Sequence, residues 1–91
     1  MEIQVRVYTA KPCGYCRAAI RYLEEVKGLQ AEEIDLTGNY QARMDLVERS
    51  GQRTVPQIFI GETHIGGYSD LRAWDASGKL DALLLSLKTK K

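Results

Sequence analysis

The chain has 91 residues, and 13 lysines and arginines against 12 aspartates and glutamates leave a formal net charge of +1. That length suits one domain, residues 1–91, with a single modest core, and so even a charge balance excludes the electrostatic footprint of a nucleic-acid binder. No apolar run approaches the roughly 20 residues that span a bilayer, so no membrane role is expected. The apolar pattern begins at Ile3, which leaves no room for a secretory leader. With only two cysteines, a reducing cytoplasm is the expected compartment.

Residues 3–8 read as a strand, with Ile3, Val5 and Val7 on one face. From Gly14 to Lys27 the chain turns helical: Cys16, Ala19, Ile20, Leu23 and Val26 form an apolar stripe, and Gly28 is placed to end it. Residues 29–35 are a second short strand anchored by Ala31 and Ile34. Tyr40, Met44 and Val47 recur at helical spacing until Ser50-Gly51. Residues 56–60 and 63–65 flank Gly61-Glu62 as a hairpin with a two-residue turn. Gly66-Gly67 breaks the hairpin, and Ser69 or Asp70 is placed to cap a helix through Trp74. Leu80, Leu83, Leu84 and Leu87 line a last helix, whose end, Lys88-Thr89-Lys90-Lys91, reads as solvated. Trp74, Met44 and the leucines are expected in the core, and His64 on the surface. The order β-α-β-α-β-β-α-α is that of an α/β protein with a four-stranded mixed sheet and helices on both faces.

Chemistry concentrates at Cys13-Gly14-Tyr15-Cys16, the only cysteine pair, between the first strand and the first helix. Thiols at i and i+3 on a first helical turn sit about 5–6 Å apart between Cα atoms, which suits a disulfide. Such a bond closes a tiny loop and restrains almost nothing in the unfolded chain, so it serves better as a switch than as a staple. A free cysteine is only about 3% ionised at neutral pH. Cys13 falls at a helix N-terminus, where unpaired N–H groups favour an anion, and Lys11 and Arg17 add positive charge nearby. Lowering its pKa to about 6 would ionise roughly 90% of it, partly offset by lower intrinsic nucleophilicity. Cys16 belongs to the apolar stripe and is expected to be buried and protonated. Cys13 is therefore the attacking thiol and Cys16 the resolving one. Zinc wants four ligands, and this chain offers two thiols with His64 distant in sequence.

Three motifs in this order, Val7-Tyr8-Thr9 before Cys13-Gly14-Tyr15-Cys16, residues 53–60 (Arg53 to Ile60), and Ile65-Gly66-Gly67-Tyr68-Ser69-Asp70-Leu71, resemble the glutaredoxins over nearly the whole chain. The resemblance implies a thioredoxin-like fold and a glutathione-dependent thiol–disulfide oxidoreductase acting on glutathionylated or disulfide-bonded proteins as a monomer. Thr54-Val55-Pro56 resembles the family's cis-proline loop, in which Val55 offers its N–H and C=O to glutathione as an added strand would. Gly67, Tyr68, Ser69 and Asp70 resemble the segment whose helix-start N–H groups take the γ-glutamyl carboxylate. There Asp70 takes the ligand's ammonium or caps the helix. Arg53 is placed for the glycyl carboxylate, Tyr15 for packing over the sulfur and ligand, and Lys11 for ligand or thiolate electrostatics.

The chain departs from the family pattern at three positions. Gly14 replaces the proline of C-P-Y-C, Ala10 stands where a lysine is usual, and Ser69 replaces the first aspartate of G-G-x-D-D. Members without that proline include proteins that hold a [2Fe–2S] cluster between two subunits, with two active-site thiolates and two glutathiones as ligands. The alternative reading is therefore a cluster-binding or transfer protein, a bridged dimer with Cys13 as its ligand.

Overall fold

The computed structural model describes residues 3–89, with the side chain of Thr89 excepted. Lys90 and Lys91 of the expected helix end lie outside the described residues. The elements are β1 (Val5–Thr9), α1 (Gly14–Arg21), a π-helical turn (Tyr22–Val26), β2 (Ala31–Asp35), α2 (Tyr40–Ser50), β3 (Gln57–Ile60), β4 (Thr63–Gly66), α3 (Tyr68–Ala76) and α4 (Lys79–Thr89). The strands lie in the order β2-β1-β3-β4. β1 pairs parallel with β2 and antiparallel with β3, and β3 pairs antiparallel with β4. This is the four-stranded mixed sheet of the thioredoxin-like fold.

Alternation along the strands divides the core between the two sheet faces. On one face Val5, Val7, Ile58 and Ile60 pack with Ala19 of α1, Leu23 of the π-helical turn, Leu71 of α3, and Leu80 and Leu84 of α4. Trp74, Leu83 and Leu87 pack against the edge of this cluster as expected. On the other face Tyr8 packs with Leu36 and with Leu46 of α2, beside Ile34, Ala42 and Phe59.

Two helices differ from the sequence reading. α1 was expected to keep one stripe through Val26, but from Tyr22 the backbone widens to i→i+5 bonding, with the Lys27 N–H donating to the Tyr22 carbonyl at 3.2 Å. The wider turn slips the helical phase: Leu23 stays fully buried while Val26 rotates out to 61% exposure. Gly28 then closes the segment at φ +67°, as its position suggested. In α2 the buried line runs through Ala42 and Leu46 rather than Tyr40, Met44 and Val47, and Tyr40 is 76% exposed. The next position on that line is Arg49, whose guanidinium lies 5.2 Å from the Tyr8 ring centre and 5.6 Å from that of Phe59. A cation over two rings covers this end of the cluster.

The hairpin turns at Gly61-Glu62 as expected. Of the two expected caps of α3, Asp70 serves, but from the third helical position: Gly67 occupies the N-cap, and Asp70 reaches back so that its Oδ2 accepts the Gly67 N–H at 2.9 Å. Gly66 has φ +116°, and a Cβ there would collide with the Asp70 carboxylate, so this turn requires glycine twice over.

The π-helical turn also carries the main polar tie between helices. Lys27 donates to Asp75 of α3 and to Asp81 of α4, both at 2.8 Å, and the Tyr22 hydroxyl donates to Asp75. The Lys27 and Asp75 side chains are only 14% and 16% exposed. Hydrogen bonds from Lys27 first and Tyr22 second hold the Asp75 carboxyl below the usual carboxylate range. A depressed carboxyl pKa stabilises the fold above the unfolded value of about 4, and that stabilisation is lost as pH falls through the folded value. Asp75→Asn should therefore cost about 2 kcal/mol at neutral pH and flatten the acid limb of the stability profile. Urea unfolding across pH tests this, and an unchanged midpoint at neutral pH would remove the network from the account of stability.

Candidate active site

Cys13 is built into the start of α1 as its N-cap. Its backbone is extended (φ −158°, ψ 103°), and its sulfur accepts the Cys16 N–H at 3.2 Å. That is the hydrogen bond an aspartate or serine makes at other helix starts, and here it aims an orphan N–H at sulfur. The two cysteines are joined as a disulfide with a Cα–Cα distance of 5.4 Å. Cys16 is buried, 2% exposed, while Cys13 is half-buried at the surface.

Across from it stands the loop entering β3. Cys13 Sγ lies 3.7 Å from the Val55 carbonyl oxygen, and the Val55–Pro56 peptide bond is cis, as the motif implied. The Lys11–Pro12 bond is also cis, which the sequence did not announce. A groove of about 360 Å³ opens beside this pair, lined by Tyr15, Gln52, Thr54, Val55, Pro56 and residues 67–70. Among these, Tyr68, Ser69 and Asp70 begin α3, and the first N–H groups of a helix have no intrahelical acceptor. The Tyr15 ring, 68% exposed, stacks on Tyr68 with centres 6.0 Å apart. Arg72 backs this rim, donating to the Tyr68 hydroxyl at 3.0 Å and lying 4.8 Å from the centre of the Tyr22 ring.

Lys11 and Arg53 are placed apart from the groove lining. Lys11 lies in a second depression of about 320 Å³ with Thr37, Tyr40 and Arg43, and its ammonium is 3.9 Å from Asp35. Arg53 is exposed, and its carbonyl accepts a hydrogen bond from Arg43 at 3.4 Å. Arg17 is bound to Glu33 at 2.6 Å, and Thr9 donates to the same carboxylate at 2.9 Å. Arg17 first and Thr9 second hold the Glu33 carboxyl low. Lys11 and Arg17, expected to add positive charge near Cys13, each pair with a carboxylate on β2. The group seen on the sulfur is the Cys16 N–H of α1.

Sequence reasoning missed the residues behind the loop. Gln57, fully buried, holds the loop with its amide, and His64, expected on the surface, is half-buried against Gln57 and Phe59. The available signal was a glutamine opening the otherwise apolar strand Gln57-Ile58-Phe59-Ile60. A wider depression, about 870 Å³, lies at the opposite end of β1, where Lys27 is committed to its two ion pairs. It holds no cysteine.

Among the described residues no three His, Cys, Asp or Glu side chains converge as a metal cluster would need. The two sulfurs present are bonded to each other. The cysteines of one chain supply at most two of the four thiolates that a [2Fe–2S] cluster wants, so this chain alone does not complete one.

The glutaredoxin family model matches residues 5–65. The chain is 48% identical over 80 residues to glutaredoxin 3 of Escherichia coli strain K12, covering 88% of this chain and 95% of that protein. It resembles the crystal structure of the buckwheat glutaredoxin–glutathione complex with a TM-score of 0.79 at 30% identity, over 98% of this chain and 83% of the other. The solution structure of glutaredoxin from Brucella melitensis matches with a TM-score of 0.75 at 44% identity, over 91% and 89% of the two chains. With the Cys13–Cys16 pair at the head of its first helix, the chain belongs to the glutaredoxin family of thiol–disulfide oxidoreductases.

Proposed function

We propose that the protein reduces glutathione mixed disulfides and protein disulfides with glutathione as electron donor, using Cys13 as nucleophile. The observation that carries this is the asymmetry of the pair. Cys13 is half-buried, 3.7 Å from the Val55 carbonyl of the groove, with a backbone N–H on its sulfur, and Cys16 is buried one turn behind.

The thiolate of Cys13 attacks the glutathionyl sulfur of a mixed disulfide. A Cys13–glutathione disulfide forms, and the target leaves as its thiolate. A second glutathione thiolate attacks the glutathionyl sulfur of that intermediate, releasing glutathione disulfide and returning the Cys13 thiolate. For a protein disulfide, Cys13 bonds to one target sulfur and the other leaves. Cys16, deprotonated, then attacks Cys13 and frees the target, leaving the Cys13–Cys16 disulfide for two glutathiones to reduce. Developing charge on the Cys13 sulfur is stabilised in each step by the Cys16 N–H and the start of α1.

Glutathione is seated in the groove of residues 54–56 and 67–70. The Val55 peptide edge faces the tripeptide backbone, and the first N–H groups of α3 take the γ-glutamyl carboxylate. Asp70 already accepts the Gly67 N–H, which shapes that helix start. Tyr15 packs over the bound sulfur. Arg53, on the exposed side of the loop, takes the glycyl carboxylate, and Lys11 contributes only long-range charge. The buckwheat relative, similar over 98% of this chain, is a glutathione complex, which supports glutathione as the ligand.

Turnover of a glutathionylated peptide separates the thiol roles. Cys16→Ser should retain this activity and Cys13→Ser should lose it, and full activity in Cys13→Ser would sink the assignment. In reduced protein, the alkylation rate of Cys13 should reach half-maximum well below the free-cysteine value of about 8.5. A midpoint at or above that value would deny the helix start its role. Arg53→Ala should raise the KM for glutathione about fivefold without moving that midpoint. A large shift of the midpoint would mean that Arg53 acts on the thiolate instead.

A further inference from the structure

We infer that Gln57, with His64 behind it, is a positioning residue that holds the loop of residues 52–56 so that the Val55 peptide edge faces Cys13. The inference rests on the reading of the groove as the glutathione seat. The other bonds to the loop fall at its start, from Ser50 to the Gln52 backbone at 3.2 Å and from Arg43 to the Arg53 carbonyl at 3.4 Å, and neither reaches Thr54. Gln52, Arg53 and Thr54 are exposed, and Val55 is only half-buried. Gln57 is fully buried, and its backbone is pinned opposite Tyr8 in the β1–β3 pairing.

From that fixed base its amide nitrogen reaches the Thr54 carbonyl at 2.9 Å, the Thr54 hydroxyl at 3.3 Å and the Gln52 side-chain oxygen at 3.0 Å. A carbonyl only accepts, so the nitrogen of the Gln57 amide must face Thr54 and its oxygen must face the other way. There it meets His64 Nε2 at 2.6 Å. An amide oxygen also only accepts, so His64 Nε2 carries the hydrogen and donates. The line of donation therefore has one direction, from His64 to Gln57 to the loop.

A buried amide costs free energy unless its hydrogen bonds are made. Here they are made, and they end on the residue next to Val55. The Phe59 ring, 4.8 Å from the imidazole between centres, holds His64 in place. A binding edge already held in place costs no ordering when the ligand docks, which makes this clamp a functional element as well as a core contact.

Gln57→Met keeps the length and the buried volume but removes every one of these bonds. In the wild type, amide order parameters at Thr54 and Val55 should lie near the rigid value of about 0.85, and in Gln57→Met they should fall toward about 0.6 with Ile58 unchanged. The KM for a glutathionylated peptide should rise about tenfold, with kcat within about twofold, because ground-state and transition-state binding weaken together. A merely structural role would lower the melting temperature and leave the KM of the folded protein unmoved. His64→Gln keeps an N–H at similar reach and should retain both properties, whereas His64→Leu should lose part of each. If Gln57→Met does not fold, the His64 pair decides. Rigid Thr54 and Val55 in Gln57→Met, or in His64→Leu where that variant decides, overturn the inference whether or not the enzyme turns over. A loosened loop in the variant of a protein with no glutathione turnover supports the inference and overturns the functional reading alone.

Discussion

The antiparallel pairing of β1 with β3 is the constraint on which the site depends. With Tyr8 opposite Gln57, the residue leaving β1 and the residue entering β3 emerge at the same end of the sheet. Cys13 and Val55, 42 positions apart, meet there because both are a few residues from that register. β4 runs to the same end, with Gly66 opposite Ile58, so α3 also starts there. Helix starts collect where strands end, and ligand sites of α/β sheets form at such places. A one-residue slip between β1 and β3 would turn every side chain to the other face and separate the sulfur from the loop at once.

Charge around the sulfur is local. The two cations nearest in sequence, Lys11 and Arg17, are tied to Asp35 and Glu33 on β2, while the Cys13 sulfur accepts a backbone N–H at the start of α1, where such groups are held by the helix itself. These groups need no side-chain ordering, and salt screens them less than it screens exposed ion pairs. The remaining strong polar contacts serve the scaffold. Lys27, Asp75 and Tyr22 join the end of the first helix to α3. Arg72, resting on Tyr22, carries that rigidity to Tyr68 and the stacked Tyr15 at the groove rim.

The sequence disclosed what depends on local chemistry and short-range period. Cysteines at i and i+3 after a strand pattern implied the 5.4 Å Cα separation, Val7 and Leu23 declared their burial by alternation and helical spacing, and Gly61-Glu62 declared the hairpin. The cis bond before Pro56 came from the family motif rather than from the residues, since trans is the ordinary form. What escaped depends on partners distant in sequence. Val26 looked buried until the π-helical turn shifted its phase, and Arg49 drew no notice because the two rings beneath it come from β1 and β3. His64 looked like a surface residue because its partner, Gln57, becomes buried only once the sheet has formed. The pairings of Lys11 and Arg17 were not legible because their carboxylates lie on the neighbouring strand.

The central claim is that glutathione lies along Val55 and the start of α3 with its sulfur at Cys13. The most direct measurement is amide chemical-shift mapping of Cys16→Ser protein trapped as the Cys13–glutathione mixed disulfide, against the same protein reduced. The largest shifts should fall on Val55, Tyr68 and Ser69, with Gln30 and Ala31 at the opposite end of the sheet unmoved. Shifts confined to the neighbourhood of Cys13, with Val55 and Ser69 unaffected, would contradict the account.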